Sequence, residues 1–189
     1  PIFQDLEEIL KRNNTFRICL PVLSPRVMCN LRRLSLSFGM RLIGESEAKV
    51  LAEIINLVTS LEKLKLSFQN SDWANDKILK LFGSAISNLK LKSFHFILSK
   101  CEKTTIGGFL HLSKDVGKIQ FLEKLKLSII DDASYFYCNS FVKEVFPSNL
   151  KTLKLHGRAI KYALPFSELI MMEMNHYIKS MNLQKFCLD

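Results

Sequence analysis

The sequence predicts an α/β solenoid, a stack of strand–helix units with parallel strands on one side and helices on the other. Three observations predict it. First, a phrase of roughly Leu-x-x-Leu-x-Leu returns six times in 189 residues. It begins at Leu31, Leu61, Leu91, Leu122, Leu150 and Leu183, in steps of 30, 30, 31, 28 and 33 residues. A period in this range marks a stacked architecture. Second, apolar and polar residues alternate within the phrase, as in Leu64, Leu66 and Phe68 against Lys63, Lys65 and Ser67. That alternation describes a strand with one buried face. Third, the apolar spacing between phrases changes to that of a helix.

The elements follow in order. Residues 1–30 read as an N-terminal helix at 2–12 and a short capping strand at 16–23. Residues 31–189 then hold five to six units. The first helix opens at Glu45 and Glu47, whose charges suit a helix N-terminus. Its apolar face is Ala48, Leu51, Ile54, Ile55 and Val58. A polar turn at 69–72 leads to a second helix at 75–86, with Ile78, Leu81, Phe82, Ala85 and Ile86 inward. The third helix is expected over 105–120 with Ile106, Leu110, Val116 and Ile119 inward, weakened by Gly107, Gly108 and Gly117. Residues 131–139 read as an aromatic loop. A short helix at 141–146 stops before Pro147, and a longer one at 165–181 starts on Pro165. Neither half of a unit buries its apolar face alone. Each buried Leu or Phe contributes about 1.5–3 kcal/mol, and neighbouring units are needed to realise it.

Composition narrows the functional classes. The hydrophobic fraction of 48% is that of a globular chain. No apolar run approaches the roughly 18 residues that would span a bilayer. The five cysteines, Cys19, Cys29, Cys101, Cys138 and Cys187, are odd in number and lack Cys-x-x-Cys spacing. They read as free thiols of an intracellular, reducing compartment rather than as a disulfide framework or zinc site. The formal charge of +9 bears on association rather than on fold.

The phrase, together with the helix running from Glu45 to Ile55, resembles the leucine-rich-repeat family. It is similar to the helical, ribonuclease-inhibitor-like kind with units of about 28–30 residues. The resemblance covers residues 31–189 and implies a horseshoe, strands concave and helices convex, that works as a binding surface. One departure is plain. The family's loop Asn or Cys, three residues after the second strand leucine, is replaced by Gly39, Gln69, Ser99, Ile130 and Arg158.

By alternation the polar strand positions face the concave side in three rows. The first is Arg33, Lys63, Ser93, Lys124, Thr152 and Lys185. The second is Ser35, Lys65, His95, Lys126, Lys154 and Cys187. The third is Ser37, Ser67, Ile97, Ser128, His156 and Asp189. Seven of these eighteen are Lys or Arg and one is acidic. The candidate site is therefore Arg33, Lys63, Lys65, His95, Lys124, Lys126, Lys154, His156 and Lys185, a face for an acidic protein partner. The same lysines also serve solubility. Tyr135, Phe136 and Tyr137 form a second contact candidate, unless they pack over the neighbouring helix.

The expected function is a non-catalytic protein–protein interaction module within a larger assembly. Two alternatives stay open: a subunit that binds nucleic-acid phosphates through the lysines, and a regulatory domain of a larger enzyme. No phosphate loop, nucleophile elbow or His-Glu-x-x-His occurs. His95, His111, His156 and His176 are scattered, so neither cofactor nor metal is expected. The final phrase ends the chain on a strand, and a further segment or a neighbouring chain is expected to cover that edge.

Overall fold

The computed structural model describes residues 30–39, 45–71, 73–130, 149–157, 179 and 183–188. The expected elements at 2–12, 16–23, 131–139, 141–146 and, but for residue 179, 165–181 lie outside the described residues. Nine elements are described. They are β1 (Arg33–Phe38), α1 (Glu45–Leu57), β2 (Lys63–Gln69), α2 (Asp76–Ser87), β3 (Ser93–Ser99), α3 (Ile106–Gly117), β4 (Lys124–Ile130), β5 (Thr152–Gly157) and β6 (Lys185–Leu188). All six strands are parallel and lie in one sheet in sequence order.

The register is that of the recurring phrase. Leu34, Leu64, Phe94, Leu125, Leu153 and Phe186 stand opposite one another, as do Leu36, Leu66, Phe96, Leu127, Leu155 and Leu188. Most of these side chains join the helix residues in one apolar core. A slip of one residue would turn every leucine outward and every lysine inward. Five shared carbonyls also hold the register. The carbonyl of Arg32 accepts from the N–H groups of both Glu62 and Lys63 at 2.9 Å. Glu62, Lys92, Glu123 and Lys151 do the same for the pairs that open β3, β4, β5 and β6, at 2.8–3.0 Å.

The first helix meets expectation, and the second does so except that Leu81 is half-buried and Leu79 takes the buried place. Ala48, Leu51, Ile54 and Ile55 are buried on α1, and Ile78, Phe82, Ala85 and Ile86 on α2. Asn75 caps α2, its side-chain oxygen accepting from the N–H of Ile78 at 3.1 Å. The third helix departs from its expected phase. Ile106 is 43% exposed and Leu110 only half-buried, whereas Phe109 and Leu112 are fully buried beside Val116.

The two helical glycines give the reason. A Cβ on Gly108 would lie 2.7 Å from the Cα of Asp76, and one on Gly83 would lie 2.8 Å from Oδ2 of Asp115. These glycines admit the neighbouring helix rather than weaken their own. Asp76 then accepts from the N–H of Thr105 at 2.7 Å and from its hydroxyl at 2.6 Å. This joins the starts of α2 and α3, and Phe109 turns to the sheet instead of Leu110.

The strand-to-helix loops are tied by other residues than the family's asparagine. The Ser71 hydroxyl donates to the carbonyl of Gly39 at 3.3 Å, the Cys101 thiol to that of Phe68 at 3.6 Å, and the Thr104 hydroxyl to that of Ala74 at 2.6 Å. Asn70 and Lys100 occupy matched left-handed positions after β2 and β3, with φ of 49° and 52°. From there their N–H groups reach Ser99 and Ile130 on the next strand. Beneath these loops Phe38 stacks on Phe68 at 5.1 Å, and Trp73 meets both rings edge-on. Cys101 is a buried free thiol and Cys187 a half-buried one. No helix among the described residues is long and apolar enough to cross a membrane.

Candidate partner-binding face

The sheet places the first two polar rows as the alternation predicts. Arg33, Lys63, Ser93, Lys124, Thr152 and Lys185 are partners in register, and so are Ser35, Lys65, His95, Lys126, Lys154 and Cys187. Arg33, Lys63, Lys124 and Lys185 are exposed, while Lys65, Lys126 and Lys154 are half-buried. The second set lays its aliphatic stems along neighbouring strands and keeps its ammonium groups in water. Adjacent strands run about 4.8 Å apart, so the two rows form a continuous cationic strip.

The third row is only partly open. Ser37 is exposed and Ile97 half-buried, but Ser67 is 2% exposed and Ser128 6%. Ser67 Oγ has no hydrogen-bond partner among the described residues. His156 is half-buried at the far end of this row. Asp189, Tyr135, Phe136 and Tyr137 lie outside the described residues.

A fourth row, missed in the sequence reading, explains the strip by contrast. Immediately before the strands come Arg32, Glu62, Lys92, Glu123 and Lys151, whose signs alternate. They pair across strands: Arg32 and Lys92 reach Glu62 at 3.5 and 3.4 Å, and Lys151 reaches Glu123 at 3.2 Å. The signal was present in the sequence as one residue before each strand, but it shows only when the units are aligned. The cations of the first two rows have no such partner among the described residues. Like charges stand side by side there, Arg33 beside Lys63 and Lys126 beside Lys154, an arrangement that destabilises a sheet.

His95 sits in the middle of the second row, between Lys65 and Lys126. Burial, then Lys126, then Lys65, push its imidazole down to about 4, so it is neutral near pH 7. Its Nε2 lies 3.5 Å from the Ser128 hydroxyl. Over β1 to β3 the face holds a recess of about 250 Å³, lined by Arg33, Ser35, Lys63, Lys65, Ser93 and His95 above the leucines. Among the described residues no three His, Cys, Asp or Glu side chains converge as a metal site would require. His95 and His156 are two strands apart. The strip can offer convergent positive charge to an anionic surface. No family model matches the chain, no curated protein is similar to it and no solved structure matches it.

Proposed function

We propose that the chain is a leucine-rich-repeat solenoid serving as a non-catalytic docking module, and that an acidic protein partner lies across its two lysine rows. The parallel strands in sequence order, the helix after each of the first three, and the common register support the architecture. One observation carries the function. Among the described residues the molecule neutralises its charge in the row beside the strip, where Glu62 and Glu123 pair with Arg32, Lys92 and Lys151, and offers the strip itself no such partner. Unpaired like charge opposes folding, so its placement on one face serves an association rather than the fold. Such a strip speeds encounter and selects partners by sign.

The test is retention on immobilised polyglutamate as salt is raised. Replacing Lys65, Lys126 and Lys154 together by Glu is expected to abolish retention, and replacing Lys92 by Gln to leave it unchanged. The triple variant exchanges one like-charge pair, Lys126 beside Lys154, for another, so its stability is expected to change little. Undiminished retention of the triple variant would overturn the reading. Tighter, steeply salt-dependent retention on single-stranded RNA than on polyglutamate would move it to a nucleic-acid backbone.

A further inference from the structure

We propose that the recess across β1 to β3 is a site for a phosphoryl group carried by the acidic partner, and that His95 takes up a proton from solvent as that group docks. The proposal rests on the docking function above and names the chemistry that the site reads.

The recess concentrates more positive charge than one carboxylate needs. Arg33, Lys63 and Lys65 are fixed cations, His95 is a latent fourth, and Ser35 and Ser93 add hydroxyl donors. A carboxylate brings one charge and two oxygens. A phosphoryl group brings a charge of about −1.5 to −2 and three acceptor oxygens, which matches the lining better. No carboxylate among the described residues lines the recess. Arg cannot release its proton, and Lys seldom does so near neutrality. His95 is therefore the one lining group whose charge can follow the ligand.

The surroundings of His95 fix the sign of that coupling. From β2 Lys65 stands opposite it, with Lys63 two residues earlier on the same face. From β4 Lys126 stands opposite it, with Lys124 two residues earlier and the Ser128 hydroxyl at 3.5 Å. Lys126 and Lys65, together with burial, disfavour an imidazolium in the empty face. A dianion set among the same cations reverses the local field and favours it. Proton uptake then accompanies docking, and by reciprocity affinity rises as pH falls.

The experiment uses the full chain and three versions of one Asp- and Glu-rich peptide that differ at a single position: phosphoserine, Glu or Ser. Binding is read by fluorescence anisotropy at fixed ionic strength, at pH 7.5 and 6.5. The phosphoserine peptide is expected to bind at least tenfold more tightly than the Glu peptide, and more tightly still at pH 6.5. The His95 ring resonances, followed by NMR, are expected to titrate at higher pH when that peptide is bound. His95→Gln is expected to remove the gain in affinity at pH 6.5. If phosphoserine and Glu peptides bind alike, or if the His95 titration does not move, the inference fails while the docking function stands. If none of the three peptides binds, both fail.

Discussion

His95 sits between two ammonium groups with part of its ring out of water, and its proton is correspondingly hard to add. In the unfolded chain it titrates near 6.5, and in the folded face at about 4. Above pH 6.5 both states are neutral and the residue has no effect on the balance. Below it the unfolded state binds the proton first, so stability falls as pH drops from about 6.5 towards 4. Thermal melting across that window is expected to show the loss, and His95→Gln to reduce it. Lys100 carries a different strain. Its left-handed backbone suits glycine or asparagine, and Asn70 fills the matched position after β2. Lys100→Gly is expected to raise stability by about 0.5–1 kcal/mol, read as a higher denaturant midpoint. An unchanged midpoint would mean that the turn stores no such strain.

At the scale of elements, the strands and the span of the third helix were legible, and the phase of that helix in its first half was not. A strand offers two phases, and leucines spaced by two choose between them. A helix offers many, and in α3 the choice between Leu110 and Phe109 was made by Asp76, which lies 29 residues before Thr105. No periodicity within the helix reports that contact. Gly108 looks like a helix weakener until the Cα of Asp76 is in place beside it. Loop fastening was hidden for a similar reason. Gly39, Gln69 and Ser99 lack the expected side chain, and the bonds are made instead by Ser71, Cys101 and Thr104, two to five residues later in their loops. Asp76→Ala should show how much the helix junction matters. It leaves the N–H and hydroxyl of Thr105 without their acceptor, and a loss of about 1.5–3 kcal/mol is expected. Chemical denaturation measures it, and a loss below about 0.5 kcal/mol would mean that solvent replaces the carboxylate there.

Across the whole molecule, the candidate site was legible as a list of lysines and illegible as a device. Alternation alone put Lys63, Lys65, Lys124, Lys126 and Lys154 on one face. It did not tell that Ser67 and Ser128 are buried while Ser35 and Ser37 are exposed, nor that the charges next to it cancel in pairs. Both facts depend on what stands on the neighbouring strand. The sheet order has a mechanical consequence as well. Among the described residues each strand is hydrogen-bonded only to the strands before and after it in sequence, and no strand pairing ties one end of the sheet to the other. Pulled by its ends in optical tweezers, the chain is expected to peel in successive steps rather than rupture at once. Each unit of about 30 residues would release on the order of 100 Å of contour.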